Sequence, residues 1–394
     1  MSQTSPDRPR ILLLWNSPKA RRYFQALQAA STEAEVILAP VGLFAAGPRL
    51  DAQRRQQLAD YSMRRKRARG RIPAWRLRLL ECLHQAFAQW HYNAALARIR
   101  RCRPQMVGVW AGQAVDVRAA VEAAEDQGLR AVRFECGLLP GTVSCDARGV
   151  NFENSLPRNP AFYASYPVSS LPERRLLPRP ARRRHAAIDL PERFVFVPFQ
   201  VRLDSQVLLY SPRWRSMPAL FELMTTALEA APDLHLVFKQ HPSCTQSYPD
   251  LLERAAAHPR LHFANGNCTQ ELIETCLGVA TLNSTVGIEA LIFERPVLVL
   301  GQACYAIPGV AEQAVDLGGV RHWLRGLAQG QPPAAPLAPA FLSYLAREYC
   351  VPGHFRSPDP AHTQAMHRHL RALAAGSVPT DRGDWASASL PSQA

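Results

Sequence analysis

The stretch GVATLNSTVGIEALIFERPVLVL, residues 278–300, reads as strand, turn, helix and strand. Gly278–Leu282 and Pro296–Leu300 are short aliphatic runs of the kind that fill a sheet covered on both faces, and Val286–Phe293 between them has helical character. A helix joining two such strands is the repeating unit of a parallel sheet. Asn283, Ser284 and Thr285 fall between the first strand and the helix. Backbone N–H groups at a helix start lack partners and the helix dipole favours an anion there, so two hydroxyls at this point suit a phosphate. The same residues also cap helices that bind nothing. Glu289, one turn beyond Thr285, shares its helix face and is placed to reach a ribose diol.

The rhythm extends upstream. Phe194–Phe199, Leu234–Lys239 and Leu261–Ala264 read as strands, with helices over Met217–Ala230, Tyr248–Ala257 and Gln270–Cys276. The N-terminal half repeats it with strands Ile11–Trp15, Ala34–Val41, Met106–Trp110 and Val132–Glu135 and helices Ala20–Ala30 and Ala114–Asp126. Residues 51–101 predict two amphipathic helices broken at Pro73, with Trp75, Leu79, Leu80, Leu83, Phe87 and Trp90 on one face of the second. The expected fold class is α/β, with two Rossmann-like doubly wound domains facing a cleft. The expected division is a first domain over 1–170, a Pro/Arg-rich linker over 171–190 and a second domain over 191–330. Helices within 340–375 and a disordered tail over 376–394 complete it.

A chain of 394 residues suits two domains, and 47% hydrophobic with 20% charged residues is ordinary for a folded enzyme. No apolar run approaches the ~20 residues that a bilayer-spanning helix needs. MSQTSPDRPR is followed only by the five apolar residues of a strand, which predicts a cytoplasmic chain without a secretory signal. Nine cysteines without CxxC spacing argue against a zinc site or a disulfide framework. The net charge of +14 is mostly arginine, in runs such as Arg64–Arg67 and Arg182–Arg184, and asks for an anionic partner: nucleic acid, lipid headgroups or an acidic saccharide. Without a recognition motif or interleaved stacking aromatics, nucleic acid is set aside.

Ligands of open parallel sheets sit beyond the carboxyl ends of strands. The strand FVFVPFQ places Gln200, Asp204, Ser205 and Gln206 just past its end, although an Asp there also serves as a helix cap. Lys239 and His241, in the K-x-H-P turn closing LHLVFK, are a cation and an imidazole suited to a nucleotide phosphate. Glu135 ends the strand AVRFE, ahead of Asp146, Asn151 and Glu153, and is a candidate acid or base or an ion-pair partner of a nearby arginine. No P-loop, G-x-G-x-x-G, zincin or nucleophile-elbow motif is present, and no D-x-D triplet. The expected chemistry therefore uses no metal and no cofactor, with protein cations neutralising a leaving phosphate.

FECGLLPGTVSCDARGVN, FVFVPFQVRLDSQVLLYSP, FKQHP and TQELIETCLGVATLNSTVGIEALIFERPVLVLG, in this order over residues 130–305, resemble the successive motifs of the bacterial capsular polysaccharide synthase family, whose characterised members are Kdo transferases. The resemblance implies a GT-B-like glycosyltransferase moving Kdo, or a related acidic sugar, from a CMP-sugar donor to a lipid or oligosaccharide linker acceptor, with retention. It implies Asp204 as nucleophile and Glu135 as acid/base. Gln200, Gln206, Lys239, His241, Asn283, Ser284, Thr285 and Glu289 would then bind the substrate. Cys136 stands where the family motif carries histidine. A lipid acceptor implies a peripheral position at the inner face of the cytoplasmic membrane, with an anionic membrane surface and other capsule assembly proteins as partners. Two other readings fit the same residues: a non-catalytic capsule assembly or export partner, and a UDP-sugar epimerase-type enzyme.

Overall fold

The structure is a computed structural model that describes residues 8–32, 34–42, 44–70, 72–178 and 182–375. It contains two compact units, one formed by the chain up to Leu156 and again from Tyr349, the other by Pro157–Glu348.

The first unit is built on strands β1 (Arg10–Trp15), β2 (Glu35–Pro40), β3 (Met106–Trp110), β4 (Arg130–Cys136) and β5 (Thr142–Asp146). In β1, Ile11 and Leu13 enter one hydrophobic cluster and Leu12 and Leu14 the opposite one. A period of two on a strand covered on both faces turns an unbroken aliphatic run into two cores. Helix α1 (Pro18–Ala29) covers the first face with Tyr23, Phe24 and Leu27. Helices α2 (Ala52–Arg69), α3 (Ala74–Cys102) and α4 (Val115–Glu125) cover the other. β1 to β4 run parallel and β5 turns back antiparallel on β4.

The second unit contains helix α5 (Pro160–Ser165), then β6 (Phe194–Pro198), α6 (Ser205–Tyr210), α7 (Met217–Ala227), β7 (His235–Lys239), α8 (Pro249–Ala256), β8 (Leu261–Phe263) and α9 (Thr269–Thr275). It continues with β9 (Gly278–Thr281), α10 (Val286–Ile292), β10 (Val297–Val299), β11 (Glu312–Gln313), α11 (Leu317–Ala328) and α12 (Ala338–Tyr344). Its six strands are all parallel in the order β11-β10-β9-β6-β7-β8. Counted from β6 as the first, this is the order 3-2-1-4-5-6 of a doubly wound nucleotide-binding sheet, with its switch point between β6 and β9.

The division departs from the sequence expectation in two ways. The first unit ends at Leu156, not near residue 170, and the helices expected over 340–375 are split. Helix α12 stays with the second unit. The chain then returns as β12 (Cys350–Pro352), antiparallel to β5 at the sheet edge, and α13 (Pro360–Ala374) packs Met366, Leu370 and Leu373 beside α1. A three-residue strand is too short to show periodicity, so only its hydrogen bonds reveal it. The tail expected over 376–394 lies outside the described residues.

Candidate functional site

At the switch point of the second sheet, the loops after β6 and β9 are pinned together. Gln200 Nε2 donates to Asn283 Oδ1 at 3.0 Å, and Asn283 Nδ2 donates to the carbonyls of Gln206 at 2.9 Å and Tyr210 at 3.1 Å. Both side chains are buried. Two amides expected to bind substrate are thus used in fixing the loops on which the site stands, because a buried amide must find partners and these lie nearest.

Asp204 is half-buried and caps α6, its Oδ1 accepting the Gln206 N–H at 2.9 Å. Capping fixes the carboxylate in place on the loop. The Gln206 side-chain oxygen is buried with no partner among the described residues. Ser284 Oγ accepts the Val286 N–H at 3.2 Å, whereas Thr285, at the start of α10, makes no side-chain capping bond.

Beyond the ends of β6 and β7 lies a cavity of about 280 Å³, whose walls include Arg183, His185, Pro198, Lys239, His241 and Glu289. It approaches the lower end of the ~300–1,000 Å³ usual for small-molecule sites. Its lining includes Val286 and Glu289 of α10 but neither Ser284 nor Thr285, so the expected phosphate hydroxyls lie outside it. Glu289 is 5% exposed. His241 Nδ1 lies 3.2 Å from the Ser243 backbone nitrogen and 2.9 Å from its Oγ. A backbone N–H can only donate, so Nδ1 is the acceptor and the neutral ring carries its proton on Nε2.

Lys239 has a different task from the one its type suggests. Its ammonium donates to the carbonyls of Ala264 at 3.4 Å, Asn265 at 2.9 Å and Asn267 at 2.6 Å. Burial holds its pKa below the usual lysine value. The cation builds the cavity wall by ordering the loop after β8.

The segment expected as a linker forms another part of the wall. The Leu176 N–H donates to Gln270 Oε1 at 3.0 Å and the Arg182 N–H to the Pro242 carbonyl at 3.0 Å. Asn267 bonds both backbone groups of Ile188 at 3.0 Å. Gly266 allows the close approach: a Cβ there would meet the Ala186 carbonyl oxygen at 2.2 Å. The strap brings Arg183 and His185, which sequence reasoning did not place in the site, to the cavity. The run Arg182–His185 was the available signal, but basic runs are commonly solvated faces.

In the first unit, Glu135 lies near the end of β4, half-buried, and its Oε1 accepts the Cys136 N–H at 2.8 Å. Lys19 Nζ stands 3.8 Å from Cys136 Sγ and 4.5 and 4.1 Å from the ring centroids of Trp110 and Phe355. Desolvation, then the Glu135 carboxylate, push the Cys136 thiol up to about 11, so it is protonated at neutral pH. Asp146 is a structural anchor. Its buried carboxylate accepts the N–H groups of Arg148, Gly149 and Ser155 at 2.7, 3.1 and 2.7 Å and the Ser155 hydroxyl at 2.8 Å.

A doubly wound sheet with a cavity beyond its strand ends and a strap across it defines an α/β protein of the Rossmann-like class. Residues 179–355, which include most of the cavity wall, match the family described as capsule polysaccharide biosynthesis protein. It is 38% identical over 245 residues to protein FixF of Sinorhizobium fredii, a match covering 61% of this chain and 60% of that protein. It is 25% identical over 334 residues to the capsule polysaccharide export protein KpsS of Escherichia coli, covering 69% and 80%. Among solved structures it is similar to the β-Kdo 2,7 transferase of KpsC from Thermosulfurimonas dismutans, with TM-score 0.47 and 13% identity over 91% of this chain and 99% of that one. The chain thus spans 60% of the length of its FixF relative.

Proposed function

We propose that this chain is a glycosyltransferase of capsular polysaccharide biosynthesis that moves Kdo, or a related acidic sugar, from a CMP-sugar to a lipid or oligosaccharide acceptor. The observation that carries the proposal is the cavity beyond β6 and β7, which is lined by Arg183 and His241, residue types suited to a phosphate, and by the buried Glu289, suited to a ribose diol. The family match over residues 179–355 supports the capsule setting. The choice of Kdo rests on the resemblance of the motifs.

In this reading Asp204 attacks the anomeric carbon, and the carbon–oxygen bond to CMP breaks with its electron pair leaving on the phosphate oxygen. An acceptor hydroxyl then displaces the carboxylate, so the configuration is retained. Glu135 of the first unit is the group that takes the hydroxyl proton, the role the motif resemblance gives it. Arg183 neutralises the departing phosphate and the His241 Nε2–H donates to it, in place of Lys239, whose charge is already engaged.

The test is calorimetric titration of CMP and UMP into the full chain, followed by incubation with freshly generated CMP-Kdo and a lipid acceptor. Binding of CMP and its release from the donor, both lost in Arg183→Ala with His241→Ala, are the expected results. Tighter binding of UMP, or no turnover of CMP-Kdo, overturns the reading. The match to a protein named for capsule export supports a second reading, in which the chain handles the polymer without catalysis. Polymer binding that survives Asp204→Asn, with no donor turnover in the wild type, would decide for it.

A further inference from the structure

The pair α2 and α3 extends beyond the core it serves. The buried residues of α2 end at Met63, although the helix continues to Arg69. Those of α3 begin only at Ala88, although the helix starts at Ala74. The last turns of α2 and the first half of α3 are therefore helix that covers no core.

Its composition is not that of an ordinary solvated helix. Trp75, Leu79 and Leu83 are 68, 53 and 41% exposed. They stand four residues apart, so they form one stripe that drifts slowly around α3 over about 12 Å. Around them, from Arg64 to His84, the sequence carries eight arginines and lysines and a single carboxylate, Glu81. Glu81 is itself 3.9 Å from Arg67. Large apolar side chains left in water within a field of one sign cost solubility unless a partner covers them. A dense cationic field repels a second copy of the same surface, and it disfavours a neutral apolar partner that would bury the charges without countering them.

We propose that this end of the α2–α3 hairpin is a docking surface for an anionic lipid bilayer, with Trp75, Leu79 and Leu83 entering the headgroup region and the arginines and lysines engaging phosphates. Tryptophan and leucine on a helix flanked by cations are the side chains that interfacial helices use. No helix among the described residues is long and apolar enough to cross a membrane, so this contact is peripheral. The proposal stands apart from the donor cavity and from the choice of sugar.

The experiment is co-sedimentation of the full chain with vesicles of phosphatidylcholine alone and of phosphatidylcholine with phosphatidylglycerol, at low and high salt. Binding at least tenfold stronger to the anionic vesicles and weakened by salt is expected. Trp75→Glu with Leu79→Glu should reduce it at least tenfold, with the circular dichroism unchanged, because these residues support no core. Arg64→Ala, Arg65→Ala and Arg67→Ala together form a second, charge-only variant with the same expected loss. Equal binding to both vesicle types, or binding unchanged in both variants, overturns the proposal. A wild type that ignores vesicles but forms a dimer that Trp75→Glu dissociates would assign the surface to self-association instead.

Discussion

The phenol of Tyr349 donates to the buried carboxylate of Asp146 at 3.0 Å. The same carboxylate oxygen accepts the backbone and side chain of Ser155. Ser155 lies one residue before the chain leaves the first unit, and Tyr349 is where it returns. One anion therefore fastens both crossings to β5. Asp146→Ala, which leaves these donors unpaired in a buried place, is expected to cost about 3 kcal/mol in urea unfolding, and Tyr349→Phe about 1 kcal/mol. A loss under about 0.5 kcal/mol in the alanine variant would show that the crossings are held by packing alone.

Lys239 and Arg183 both border the cavity, but among the described residues only the first is engaged with backbone carbonyls. Lys239→Met is expected to destabilise the second unit by about 2–4 kcal/mol, because three carbonyls lose a charged donor. Arg183→Ala, at an exposed residue, should change stability by no more than about 0.5 kcal/mol yet raise the Kd for CMP about tenfold. Thermal unfolding paired with calorimetry separates the two roles, and a reversed pattern would exchange them.

Asp204 combines a helix cap with the proposed attack. Asparagine caps nearly as well as aspartate but is no nucleophile, whereas alanine does neither. Asp204→Asn should keep its stability within about 0.5 kcal/mol and lose turnover and any Kdo-sized mass adduct; Asp204→Ala should lose both, at about 1 kcal/mol. Full turnover by the asparagine variant would leave the residue with its structural role alone.

His235 and His262 meet on adjacent strands with ring nitrogens 2.9 Å apart. Burial holds both below the usual histidine value of 6.5; Arg260 adds to it for His235, and His235 and then His258 add to it for His262. A depressed folded value means that the unfolded chain binds more protons just below 6.5. The pair's contribution is thus present above that pH and is lost as pH falls through it towards the folded values. Urea midpoints from pH 8 to 5 should decline across this window, and His262→Gln should flatten the decline. An unchanged slope in that variant would remove the pair as its cause.

Much of the fold was legible because buried parallel strands write themselves as aliphatic runs: FVFVP, HLVFK and GVAT are strands close to their expected bounds. β12 was not, since Cys350–Pro352 owes its strand state to β5 alone. For the site, residue types at strand ends pointed to Lys239, His241 and Glu289, which line the cavity, and to Ser284 and Thr285, which do not. They did not say which way each side chain turns. Lys239 and Gln200 look alike as ligands in the sequence, yet the structure occupies one with carbonyls 25 to 28 residues on and the other with an amide 83 residues on.

By itself the sequence determined the alternation of strand and helix, the basic surface and the clustering of polar groups at strand ends, because these depend on local periodicity and composition. Only the tertiary structure decided that the presumed linker is a wall of the cavity, that Lys239 is a scaffold and that the chain returns to its first sheet. Each of these depends on contacts between segments far apart in the chain, where a buried donor takes whichever acceptor the packing sets beside it.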